Sequence, residues 1–188
     1  MKPTITSTEI AHQNPWYRIR HDQLLWPNGK TGQYFVAEIL DGAMAVCVKD
    51  NYVLVTKQYR YTIDQETIEF PCGGMDPGEE PLEATKRELR EETGYIAKHW
   101  ESLGSSYCQI GTGHDHVFHF LATDVEQVET EITDQIEINQ GLHSFWMPIP
   151  EFEQAILTQT NVPQSTIVAW FRYLLHTGRA HSLVQSNG

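Results

Sequence analysis

Glu88, Glu91 and Glu92 stand at i, i+3 and i+4 in a stretch of helical character, so the spacing puts their carboxylates on one side of a helix. Like charges at that spacing repel and weaken a bare helix. Something positive must offset them. Arg87 lies one turn before Glu91 and does part of this, but a single guanidinium does not neutralise the whole cluster. Divalent cations do. Mg²⁺ takes a few carboxylate oxygens, retained waters and phosphate oxygens, which such a face supplies, and Mn²⁺ is expected to substitute for it. The bland alternative is a solvated acidic face in ordinary ion pairs with Lys86 and Arg90. What speaks for cations is the context: a glycine-bearing loop whose backbone can approach a ligand precedes the acidic face, and a helix stop follows it.

The elements that must hold this face can be read outward from it. Pro81 is tolerated in a first helical turn, Glu79, Glu80 and Glu83 suit the positive end of the dipole, and Gly94 suits a left-handed closing residue. These signals predict a helix over 81–93, with Leu82, Thr85 and Leu89 as its apolar stripe. Pro71, Gly73, Gly74, Pro77 and Gly78 predict an irregular loop before it. Upstream, residues 16–39 read as an antiparallel hairpin turning at Pro27, Asn28 and Gly29, the centre of an N-terminal extension over about 14–45. A second, more apolar hairpin pairs AMAVCV with YVLVTKQYR. Downstream, strands are expected in HWESLGSSYC, HVFHFLAT and SFWMPI, and a last helix over 166–176. The expectation is a single α+β domain over 1–188, with helices outside a curved mixed sheet.

Bulk properties narrow the function. The 188 residues suffice for a core without staples, and a formal charge of −12 disfavours coating a nucleic acid. A small phosphorylated substrate remains compatible, because bound cations invert the local field. Cys47, Cys72 and Cys108 lack metal-like spacing and read as reduced thiols. The N-terminal residues are too polar for a signal peptide and no apolar run reaches spanning length, so a soluble cytoplasmic protein with no membrane partner is expected.

Gly73, Glu79, Arg87, Glu88, Leu89, Glu91, Glu92 and Gly94 match every fixed position of the Nudix box, G-x5-E-x7-R-E-U-x-E-E-x-G-U; Tyr95 is aromatic where the pattern has an aliphatic residue. The segment 73–95 therefore resembles the Nudix hydrolase family. The resemblance implies an α/β/α sandwich, a loop–helix–loop metal site, and hydrolysis of a nucleoside diphosphate linked to another moiety. It implies Glu88, Glu91 and Glu92 as metal ligands, with a main-chain carbonyl at Cys72 or Gly73. It implies Arg87 as the residue orienting the glutamates and Glu79 as the upstream glutamate.

The run LVTKQYR, the leader EFPCGG and the first hairpin are similar to ADP-ribose pyrophosphatases and nucleotide-sugar relatives. That subgroup implies a homodimer built through the N-terminal strands, and products of a nucleoside monophosphate and a sugar phosphate. Arg60 becomes a candidate phosphate contact and Glu69 a candidate ribose or amino contact. ADP-ribose pyrophosphatases usually carry a proline in a loop beyond the box; here the loop 109–116 has Gly111, Gly113, His114, Asp115 and His116 and no proline. ADP-ribose leads, with a nucleotide sugar beside it. NADH, a dinucleoside polyphosphate, a nucleoside triphosphate, or a silent nucleotide-sensing domain are the alternatives.

His114 and His116 are candidate substrate contacts; a zinc site of His114, His116 and His119 is the rival reading, although alternation makes His119 an ordinary strand residue. A general base is sought among Glu129, Glu131, Asp134 and Glu137, with Glu137 or Asp134 favoured by nearness to the next strand. Trp16, Tyr59 and Tyr61 could stack on a base, though core or interface is the commoner fate of such residues.

Overall fold

The structure, a computed structural model, describes residues 2–128 and 134–181; Glu129 and Glu131 lie outside the described residues. Contacts divide the chain into two units, Met1–Asp41 with Tyr107–His116, and Gly42–Ser106 with Val117–Gly188.

In the first unit, β1 (Thr4–Gln13), β2 (Tyr17–Leu25) and β3 (Thr31–Ile39) form an antiparallel sheet in the order β1-β2-β3. The β2–β3 turn follows its chemistry: Gly29 adopts φ 79°, and Trp26 N–H donates to Lys30 O at 2.8 Å. The expected hairpin thus gains a third strand. β1 is exposed along its whole length, so no burial imposes an apolar stripe that would announce it. On this sheet Asp22 is buried beneath Thr8, whose hydroxyl donates to it at 2.5 Å, and beside Arg20.

The second unit contains β4 (Gly42–Lys49), β5 (Tyr52–Arg60), β6 (Gln65–Glu69), β7 (Cys72–Gly74), α1 (Pro81–Thr93), β8 (Tyr95–Tyr107), β9 (His116–Gln127), α2 (Gln135–Asn139), β10 (His143–Pro148), α3 (Ile149–Thr158) and α4 (Gln164–His176). The strands make one seven-stranded sheet in the order β10-β5-β4-β9-β8, with β6 on β5 and β7 on β4. Because β4 runs parallel to β9 but antiparallel to β5 and β7, the sheet is mixed.

Both faces are covered, as the unbroken apolar run of β4 requires. Ala45 and Cys47 share a buried cluster with Leu54 of β5, Leu89 of α1 and Ala122 of β9. Their neighbours Met44 and Val46 point to the opposite face and are equally buried. Phe70, Phe152 of α3 and Trp170 of α4 form an aromatic group, with Phe152 5.1 Å from Phe70 and 5.2 Å from Trp170 between ring centroids. The α+β layering anticipated from sequence is the one observed. Among the described residues no helix is long and apolar enough to cross a membrane.

Three local expectations change. Cys72–Gly74 is a short strand rather than open loop, because its glycines fit against Gly42–Met44 of β4. Helices α2 and α3 were not foreseen; α3 starts within the stretch read as strand and buries only Ile149, Phe152 and Ala155. Helix α1 matches its predicted bounds, and Gly94 closes it at φ 71°.

Candidate functional site

The site is assembled by β7 laid against β4 and by α1 packed over both strands. Arg87 is its hub. Its Nε and Nη2 donate to the two oxygens of Glu79 at 3.0 and 2.9 Å, Nη1 to Glu88 at 2.6 Å and to Glu91 at 3.2 Å, and Nη2 to the Gly74 carbonyl at 3.0 Å. Glu79 also accepts the Asp76 N–H at 2.9 Å. Arg87 first, and then this N–H, hold the Glu79 carboxyl below its ordinary range. One guanidinium thereby fixes the loop before α1 and the acidic face of the helix together.

Glu88 and Glu92 are buried, at 7% and 4% relative exposure. Glu92 accepts the Cys72 N–H at 3.0 Å. Glu137, on α2, comes to the same place: ligand oxygens of Glu88, Glu92 and Glu137 lie within 4.8 Å of one another. Burial, and next the charge of Glu88, push the Glu92 carboxyl well up; burial likewise raises Glu88 against the pull of Arg87. Glu137 is raised by burial, then by Asp134, Glu88 and Glu91. Arg87 reaches Glu88 but bonds neither Glu92 nor Glu137. Three hard oxygen donors converge with insufficient positive charge among them, a donor set that suits Mg²⁺ or Mn²⁺.

Gly73 makes room for this arrangement, since a Cβ there would stand 2.1 Å from the Glu88 carboxyl carbon. The Gly73 carbonyl, expected as a ligand, lies 3.6 Å from the position a Gly42 Cβ would take, on the β4 side. Glu91 is exposed and held by Arg87 rather than grouped with the buried carboxylates. The helix explains the split: at about 100° per residue, turning Glu92 under β7 carries Glu91 to the rim.

Arg60 and Glu69 are paired with each other. Nε donates to Oε1 at 2.7 Å and Nη2 to Oε2 at 2.5 Å, and the Thr67 hydroxyl donates to the same carboxylate. Arg60 lies within electrostatic reach of Glu92 and Glu137. Thr67 was not singled out in the sequence, and nothing in its spacing would have done so. Asp134 caps α2, accepting from the N–H groups of Ile136 at 2.7 Å and Glu137 at 3.1 Å. An acidic cap with glutamate three residues on is a helix-start signal that would have revealed α2.

The other candidates take other roles or belong to the first unit. Tyr59 donates to Asp64 at 2.8 Å, and Tyr61 is exposed. Trp16, in the first unit, is exposed as well. His114 and His116 also belong to the first unit, where they border an open cavity of about 490 Å³ with Ile39, Leu40, Asp41 and Tyr107. His119 is wholly buried on β9, and among the described residues neither ring nitrogen has a hydrogen-bond partner. Among the described residues no histidine joins a three-ligand group, so the zinc alternative finds no site.

Comparison with known proteins places the chain among relatives. A family profile described as "NUDIX domain" matches residues 40–171, and one described as "Nucleoside diphosphate sugar hydrolase N-terminal domain" matches residues 4–37. The chain is 30% identical to an ADP-ribose pyrophosphatase of Mycobacterium tuberculosis, over 80% of this chain and 73% of that protein. It is 32% identical to an ADP-ribose pyrophosphatase of Bacillus subtilis over 55% of this chain, a match that spans only 56% of that protein. In fold it is similar to the crystal structure of an ADP compounds hydrolase, with a TM-score of 0.80 and 22% identity, covering 95% of this chain and 97% of that one.

Proposed function

Since the chain belongs to the Nudix family, we propose that it hydrolyses the pyrophosphate bond of a nucleoside diphosphate derivative, ADP-ribose or a nucleotide sugar, to a nucleoside monophosphate and a sugar phosphate. The observation that carries this is the convergence of Glu88, Glu92 and Glu137 within 4.8 Å. These three carboxylates, with Glu91 at the rim and a main-chain carbonyl at Gly73, would hold Mg²⁺, or Mn²⁺ in its place. When bound, the cation offsets the charge of the diphosphate and polarises its phosphoryl oxygens.

The protein's own groups divide the remaining work. Arg87, clamped by Glu79, fixes Glu88 and Glu91 so that the oxygens are presented without rearrangement. Arg60 presents a cation at the edge of the cluster for a phosphate oxygen. Glu137 accepts the proton of the attacking water on the carboxylate oxygen that it does not give to the cation. As the new P–O bond forms, the bridging P–O bond breaks and the two monophosphates separate.

The homologous N-terminal region and its exposed apolar residues support a homodimer formed through that sheet. Ile5, Ile10, Tyr34 and Phe35 are all exposed there, and an apolar cavity of about 710 Å³ opens among Ile5, Leu24, Trp26 and Val36. Three free cysteines support a cytoplasmic setting. The function is tested by a panel of nucleoside diphosphate derivatives assayed with Mg²⁺ and Mn²⁺, both products being identified. Turnover of ADP-ribose or a nucleotide sugar to two monophosphates is expected. Absence of turnover across the panel would favour a silent nucleotide-sensing domain, and turnover of a nucleoside triphosphate alone would redirect the substrate.

A further inference from the structure

The pairing of β5 with β6 sets Gln58 opposite Thr67 and Thr56 opposite Glu69. Since side chains alternate along a strand, Arg60, Thr67 and Glu69 share one face of this pair. Arg60 lies back along that face and grips Glu69 in a two-pronged ion pair, while Thr67 donates to the same carboxylate. Glu69 is buried, with 10% of its side chain exposed against 38% for Arg60. The pair uses Nε and Nη2, leaving Nη1 with no protein partner among the described residues. Arg60 also lies in the fields of Glu92 and Glu137.

We propose that Glu69 is a positioning residue: it pins the Arg60 guanidinium so that the open Nη1 edge meets a substrate phosphate, and it does not itself touch the substrate. This rests on the diphosphate-hydrolase reading above. Three of the roughly four lone-pair sites of Glu69 are already filled, two on Oε1 and one on Oε2, and 10% of its side chain is exposed, so a ribose hydroxyl or an amino group has little of it to reach. A second consequence is electrostatic. An unpaired Arg60 beside the carboxylates would repel the cations they gather, whereas the pair is neutral overall and still offers a directed donor.

The test is a double-mutant cycle of Glu69→Gln and Arg60→Met, read by the binding of ADP in the presence of Mg²⁺ and by KM and kcat for ADP-ribose. Glu69→Gln is expected to weaken ADP binding about tenfold and to raise KM more than it lowers kcat. In the Arg60→Met background, Glu69→Gln is expected to have no further effect on ADP binding. Thermal melts of all four proteins verify that each is folded. The same tenfold loss in both backgrounds would show direct contact by Glu69 and overturn the proposal, as would unchanged ADP binding by the single variant. Loss of ADP-ribose turnover as a property of the wild type, with the binding cycle intact, would overturn only the catalytic reading.

Discussion

A single methyl group probes the packing of the carboxylates. In Gly73→Ala the new Cβ would stand 2.1 Å from the Glu88 carboxyl carbon, and on its other side α1 is held by Arg87. We expect a loss of about 1–3 kcal/mol in stability, of the kind overpacking causes, with weaker Mg²⁺ binding. A variant that melts and binds metal like the wild type would show that Glu88 is free to turn aside. Glu92→Gln keeps the acceptor for the Cys72 N–H but removes a charge, so turnover should fall roughly 100-fold with the fold retained. Its stability carries a sign. A carboxyl raised by folding contributes stability that is complete below its ordinary pKa of 4.5 and lost as the pH rises through the folded value. Without metal at neutral pH the variant should therefore melt above the wild type, with the gap closing below pH 4.5; a lower melting temperature at neutral pH would contradict the repulsion. Glu137→Gln should cost about 10²–10⁴ in kcat, and a wild-type rate would exclude it as the base. The spacing of Glu88, Glu91 and Glu92 was legible because a helix converts it directly into neighbourhood. Glu137 was favoured as a base by its nearness to the next strand, but its grouping with Glu88 and Glu92 was not legible, because it depends on how the chain beyond β9 folds back.

Elements with strong local signals were the legible ones. The Pro81 start and Gly94 stop of α1 are enforced by backbone chemistry alone, and both hold. Strand β1 offered no such signal, since Thr4 to Gln13 are exposed throughout. Helix α3 packs a single narrow edge, too little to distinguish ten residues from the end of a strand. On β9, alternation marked His119 as an ordinary strand residue, but not its full burial, nor that both its ring nitrogens lack partners among the described residues. Burial, with Arg172 adding to it, lowers its pKa from 6.5 to about 4. The folded chain thus refuses a proton that the unfolded chain accepts. Stability from this source is complete above pH 6.5 and falls as the pH drops toward 4, by about 3 kcal/mol in all. His119→Leu should flatten that limb of the pH–stability curve, measured by denaturant unfolding between pH 7 and 4. An unchanged slope would mean that His119 is protonated or partnered in the folded protein.

At the scale of the whole molecule, an acidic chain with an N-terminal extension and one chemical segment was legible in the sequence; most of the extension falls in the first contact-defined unit and the segment 73–95 in the second. The proposed pairing with a second copy rests on resemblance, because exposed Ile5, Ile10, Tyr34 and Phe35 do not say what covers them. Light scattering during gel filtration should return twice the chain mass, and Phe35→Glu with Tyr34→Glu should halve it; a monomeric wild type would refute the dimer. The cations remain the decisive point, and Mn²⁺ reports on them by its own spectrum. Titration of the wild type and of the Glu88→Gln and Glu92→Gln variants, followed by electron paramagnetic resonance with and without ADP, measures the site itself. The wild type should remove Mn²⁺ from solution, more tightly with ADP, and each variant should weaken that uptake at least about tenfold. Equal uptake by all three proteins, or none by the wild type even with ADP present, would mean that these carboxylates do not gather the metal that the proposed diphosphate cleavage requires.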